Sequence, residues 1–145
     1  MEKKLRGFKL LLVDDEDFFR EATARQLTVR GFNVLTADCG ETAIILTQSE
    51  RPEIVVLDQE MPGMRGSETF IEIKKIDPLI EVIILTGNTS VDNAIEMMQQ
   101  GTFDYLMKPI RQTRFLAAVQ KVMEQIGAVK DVQPSPSDDD YIFVK

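Results

Sequence analysis

Among the segments that read as strands, three are apolar without a break: Leu10–Val13, Ile54–Leu57 and Val82–Leu85. An unbroken apolar run suits a strand covered on both faces, as in a parallel sheet held between two layers of helices. Periodicity alone does not separate such a run from a piece of buried helix. Shortness and Val/Ile content favour strand. With flanking residues the strand candidates become Phe8–Val13, Ile54–Leu57 and Glu81–Leu85, and two mixed segments, Asn33–Ala37 and Phe103–Met107, complete a set of five.

Helical periodicity fills the gaps. Asp17–Val29 is followed by Gly31, Glu41–Gln48 stops before Pro52, and Ser67–Lys75 stops before Pro78. Ser90 suits an N-cap for a fourth helix with Val91, Ala94, Ile95 and Met98 on one stripe and Gly101 as its stop. A fifth runs from about Gln112 to Ile126 with Phe115, Val119, Val122 and Ile126 on one face, ended by Gly127. The alternation βαβαβαβαβα predicts an α/β fold, a doubly wound parallel sheet with helices on both faces.

Length and composition set bounds on function. At 145 residues the chain has the size of one domain with a core of its own. Residues 1–130 are expected to fold. Residues 131–145 change character: Gln133–Asp140 carries no apolar residue and reads as a flexible acidic tail or linker, followed by the apolar group Tyr141-Ile142-Phe143-Val144. With no histidine, Ser-His, Cys-His and His-metal chemistry are excluded, and so is a phosphohistidine on this chain. Its one cysteine, Cys39, permits no internal disulfide and reads as a small buried residue, which fits a reducing, cytoplasmic setting. A net charge of −7 argues against direct binding of nucleic acid or an anionic membrane surface. No apolar run approaches the roughly 20 residues of a membrane span.

In an open parallel sheet, functional groups gather beyond the carboxyl ends of the strands. Strand one delivers Asp14 and Asp15 there, strand three Asp58, strand four Thr86-Gly87 and strand five Lys108-Pro109. Three neighbouring carboxylates repel, so one of them should hold a proton above its ordinary pKa unless a cation joins them. An all-oxygen donor set favours Mg²⁺, Mn²⁺ or Ca²⁺ over zinc or copper, and a shallow rim site suits Mg²⁺, for which Mn²⁺ can substitute. The plainer reading of acids here is a helix N-terminus, and it suffices for Glu16 and Asp17. Asp58, presented before the turn Pro62-Gly63, can attack phosphorus to give an acyl phosphate. Thr86 and Lys108 supply a hydroxyl and an ammonium for the transferring oxygens. Alone, Lys108 would read as a surface lysine and Thr86 as a turn residue.

Four segments carry a resemblance: Leu11-Leu12-Val13-Asp14-Asp15, Val55 to Met64, Ile84-Leu85-Thr86-Gly87 and Asp104 to Pro109. Over about residues 7–127 the chain resembles a receiver domain of bacterial two-component response regulators, of the chemotaxis-regulator type. The resemblance implies a flavodoxin-like (βα)5 fold with strand order 2-1-3-4-5. It implies Asp58 as phosphoacceptor. Mg²⁺ would be held by Asp15, Asp58 and the backbone carbonyl of Glu60, with Asp14 acting through water. Thr86 would be the switch hydroxyl, Lys108 the phosphoryl-binding ammonium and Tyr105 the aromatic that changes rotamer.

The donor it implies is a sensor histidine kinase or phosphotransfer protein. The output face would be the fourth helix, fifth strand and fifth helix, acting on a downstream effector protein or domain, with a phosphorylation-dependent homodimer left open. The resulting reading is a signalling switch, not an enzyme, beyond slow phosphorylation and dephosphorylation of itself. The chief rival is a Mg²⁺ phosphatase of the haloacid-dehalogenase type, which also uses an Asp nucleophile and keeps an acid two residues later, as Glu60 stands here. Against it, that nucleophile normally follows the first strand. An FMN carrier of the same fold lacks support, since no hydroxyl- and Gly-rich phosphate loop follows strand one.

Overall fold

In a computed structural model the chain is described at residues 8–87, 99, 101–108 and 112–126. The elements are β1 (Lys9–Val13), α1 (Asp17–Val29), β2 (Asn33–Ala37), α2 (Gly40–Glu50), β3 (Ile54–Asp58), α3 (Gly66–Ile76), β4 (Glu81–Thr86), β5 (Asp104–Met107) and α4 (Gln112–Gln125). The helix expected from Ser90, Pro109 and the segment from Gly127 onward lie outside the described residues.

All five strands are parallel, in the order β2-β1-β3-β4-β5. The three unbroken apolar runs are the three central strands, and β1, β3 and β4 are almost wholly buried. The two mixed segments are the edges. Side chains alternate across the sheet, so each central strand feeds two cores at once. Leu10, Leu12, Ile54, Val56, Ile83 and Leu85 pack with Leu27 of α1 and with Phe115, Val119 and Val122 of α4. Leu11, Val13, Val55, Leu57, Val82 and Ile84 pack with Ala43 of α2 and with Phe70 and Ile73 of α3. Aligned registers such as Leu12↔Val56 and Val56↔Ile83 keep each face consistent along the sheet.

Two strand ends fall one residue later than the apolar pattern suggests. Asp58 pairs with Leu85, and Thr86 pairs with Met107, so both polar residues are the last members of their strands. They inherit the rigidity of the ladder. Cys39 is only half-buried, at the turn before α2, with Sγ 3.3 Å from Thr42 Oγ1. A cap position faces the helix end, and full burial there is not available.

Candidate functional site

The site begins where β1 runs out. The Asp14 N–H still donates to Ala37 O at 3.1 Å, so the ladder extends to Asp14 and its side chain stays under cover. Asp14 is fully buried, whereas Asp15, one residue on, is exposed. The Asp14 carboxylate accepts the Glu16 N–H at 2.9 Å and closes a tight turn into α1. Arg20 clamps that turn, donating to Asp14 O at 2.8 Å and to Asp17 Oδ1 at 2.7 Å.

From the centre of the sheet come Asp58 and Thr86. The Gln59 N–H donates to Leu85 O at 2.7 Å, which carries the β3–β4 pairing past Asp58. The loop then folds back through Gly63, whose φ of +80° is left-handed. Helix α3 starts at Gly66, pressed against the backbone under the site. A β-carbon at Gly66 would stand 2.5 Å from Asp58 O and 2.7 Å from the Gln59 Cα, so no other residue fits there undisturbed. That role was not visible in the sequence. Lys108 arrives from β5, its N–H held by Thr86 O at 2.7 Å.

These placements bring three carboxylates together. Asp14, Asp15 and Asp58 each offer an oxygen, and the three oxygens lie within 4.8 Å of one another. Lys108 Nζ is 2.7 Å from Asp14 Oδ2, 3.6 Å from Asp58 Oδ2 and 3.8 Å from Glu16 Oε1. Its ammonium also lies 4.9 Å from the centre of the Phe19 ring. Burial alone would lower the Lys108 pKa, but the hydrogen bond to Asp14 and the charges of Asp58, Asp14 and Glu16 outweigh it and raise it. Lys108 stays charged.

Asp58 is the carboxylate that holds a proton, with a pKa raised to about 7. Burial is the main cause and the charge of Asp14 the second, while Lys108 and the Glu60 N–H pull the other way. The expectation that one of the three carboxylates holds a proton is met at Asp58, where repulsion is the smaller cause and burial the larger. An all-oxygen cluster with this unmet negative charge suits a hard divalent cation.

Sequence reasoning left one side chain without a role in the leading reading. Glu60 sends its carboxylate across to β4, where Oε2 accepts the Thr86 hydroxyl at 2.5 Å and Oε1 accepts the Gly87 N–H at 2.8 Å. Its own N–H donates to Asp58 Oδ1 at 3.3 Å. The only hint in the sequence was an acid two residues beyond Asp58. Tyr105 is partly buried beside this group. Its phenol oxygen is enclosed without a well-aligned hydrogen-bond partner. Burial, and to a smaller degree the Glu60 charge, raise its pKa, and the nearby Thr86 hydroxyl opposes them.

Comparison with known proteins agrees with this geometry. Residues 10–120 match the family model for the response regulator receiver domain. The chain belongs to that family. A receiver domain is a phosphorylation-activated switch of two-component signalling, and that is the class of this domain. The transcriptional regulatory protein GlrR of Escherichia coli is 34% identical over 122 residues, which is 84% of this chain and 28% of GlrR. The chain therefore spans little more than a quarter of that relative. Among solved structures, a receiver domain protein from Clostridium thermocellum is 33% identical, with a TM-score of 0.78 over 82% of this chain and 96% of that one. A chain of the CheX-CheY-BeF3-Mg²⁺ complex from Borrelia burgdorferi is 28% identical, with a TM-score of 0.76 over 80% of this chain and 89% of that one.

Within the receiver domain, Asp14, Asp15, Asp58, Thr86 and Lys108 stand at one rim of the sheet, as their strand-end positions predict. The phosphatase alternative has no support: the family is that of a signalling domain, and Glu60, the acid it required, is engaged with Thr86 and Gly87. Among the described residues no helix is long and apolar enough to cross a membrane.

Proposed function

We propose that Asp58 is the phosphoacceptor of this receiver domain and that Mg²⁺, replaceable by Mn²⁺, is its metal. The observation that carries the reading is the convergence of Asp14, Asp15 and Asp58 oxygens within 4.8 Å, with the Lys108 ammonium 3.6 Å from Asp58. Asp15, Asp58 and the Glu60 carbonyl would hold the ion, with Asp14 acting through water. When bound, the ion offsets the negative charge of the cluster and of the incoming phosphoryl oxygens.

The transfer needs Asp58 ionised. A carboxylate oxygen forms the new P–O bond, the P–N bond of a phosphohistidine donor breaks, and the imidazole leaves with the electron pair. The product is an acyl phosphate. Lys108 is already poised to meet a phosphoryl oxygen, and Thr86 lies at the end of the neighbouring strand. Tyr105, packed against Thr86 and Glu60, is placed to respond when Thr86 moves.

The donor is a sensor histidine kinase or phosphotransfer protein. The readout is a changed surface over the fourth helix, fifth strand and fifth helix, recognised by an effector protein or domain in the cytoplasm, with homodimerisation as a further route. Turnover is confined to the domain's own phosphorylation and dephosphorylation. Residues 1–130 make the receiver and 131–145 a tail or linker. Intact mass after incubation with acetyl phosphate and Mg²⁺ tests the reading. One phosphoryl group on the wild type and none on Asp58→Asn is expected. Labelling of Asp58→Asn to the same extent, or steady hydrolysis of p-nitrophenyl phosphate, would overturn it.

A further inference from the structure

The groups that should meet a phosphoryl group are already engaged. The Thr86 hydroxyl and the Gly87 N–H are the two donors at the end of β4, and both are taken by one carboxylate. They point at the two oxygens of Glu60, 2.5 and 2.8 Å away. An O–P–O edge offers the same pair of acceptors as an O–C–O edge, with more charge. Glu60 is also tethered to the nucleophile: it follows Asp58 by two residues, and its N–H bonds Asp58 Oδ1.

We infer that the Glu60 carboxylate is an internal occupant of the phosphoryl subsite, and that a phosphoryl group on Asp58 must displace it to reach Thr86 and Gly87. The inference rests on the reading of Asp58 as phosphoacceptor. The exchange leaves both donors satisfied before and after, so neither state strands a polar group. What changes is the anion. A carboxylate and a phosphoryl group cannot share two donors, and their like charges at this distance drive Glu60 outward. Glu60 then raises the threshold for activation, because part of the energy of binding phosphoryl oxygens goes into expelling it. Its exposed position at the mouth of the site leaves room for the side chain to swing into water.

Beryllofluoride, a non-covalent stand-in for the phosphoryl group, isolates this competition from transfer chemistry. Its affinity is titrated in the presence of Mg²⁺, read by the fluorescence of Tyr105, since the chain has no tryptophan and only one other tyrosine. Glu60→Ala is expected to bind beryllofluoride about tenfold more tightly than the wild type, as removal of a charged hydrogen-bonding competitor implies. Glu60→Gln, which keeps one acceptor oxygen, should fall between them. Repeating the pair in a Thr86→Ala background separates occupancy from charge, because the gain from Glu60→Ala should shrink once the shared donor is gone.

Unchanged or weaker binding by Glu60→Ala, with Mg²⁺ alone still raising its melting temperature, overturns the inference. So does a gain that is undiminished in the Thr86→Ala background. Failure of the underlying reading looks different: the wild type itself would take no beryllofluoride, or Asp58→Asn would take it equally well.

Discussion

The two rims of the sheet each carry a lysine paired with carboxylates, and the pairs are built differently. At the amino rim, Lys9 Nζ donates to Glu50 O at 2.9 Å and lies 3.2 Å from Glu50 Oε1, with both side chains a third or more exposed. At the carboxyl rim, Lys108 meets a fully buried Asp14 at 2.7 Å and has Asp58, nearly as buried, close by. Water screens the first pair, and the main-chain carbonyl does much of its anchoring. The second pair lies where removing one partner leaves a charge with nowhere to go. An open hollow of about 490 Å³ also lies at the amino rim, lined by Phe8, Leu79 and Ile80 and without any of the three clustered acids. Charge buried against its own preference distinguishes the functional rim.

Substitutions at the two rims sharpen that contrast. The largest effect is expected at Asp58. Asp58→Asn should abolish incorporation of a phosphoryl group from acetyl phosphate, read by intact mass, while the domain still folds cooperatively. Next is Lys108→Ala, which leaves Asp14 and Asp58 without their cation and should cost about 3 kcal/mol in urea unfolding without metal. Adding Asp14→Asn to that variant should recover part of the loss.

The raised pKa of Asp58 makes a third test. Its ordinary value is 3.8 and its folded value about 7, so between these the folded state holds a proton that the unfolded chain has released. Metal-free stability should therefore fall as pH rises from about 4 through about 7, and Asp58→Asn should remove that part of the slope. A slope unaltered by the substitution would place the titration elsewhere. Millimolar Mg²⁺ should raise the melting temperature at neutral pH, by about 2.7 kcal/mol of stabilisation at a hundredfold excess over its dissociation constant. The smallest effect belongs to the amino rim, where Lys9→Ala should cost less than about 1 kcal/mol and leave labelling intact. If Lys9→Ala and Lys108→Ala prove equally costly, the contrast between the rims fails.

Much of this was legible in the residues. The unbroken runs identified the central strands because a strand covered on both faces has no polar side to show. The two mixed runs became the edges for the converse reason. Asp14, Asp58, Thr86 and Lys108 could be placed on one rim because parallel strands all end on the same side. Finer points escaped. Asp14 and Asp15 are adjacent and chemically alike, yet one is fully buried and the other exposed, since only Asp14 remains in the ladder through its bond to Ala37. The need for glycine at position 66 escaped as well, because the backbone it touches belongs to a segment that folds back onto it.

The sequence by itself determined the order of the described elements, the strands covered on both faces and the set of acids, hydroxyl and ammonium at the strand ends. These follow from periodicity and local chemistry, which neighbouring residues carry among themselves. Tertiary structure decided who holds whom. Lys108 is bound to Asp14, 94 residues away, and Thr86 to Glu60, 26 residues away. Partners that far apart are chosen by strand order and by the angle at which each chain leaves the sheet, and no local pattern encodes either.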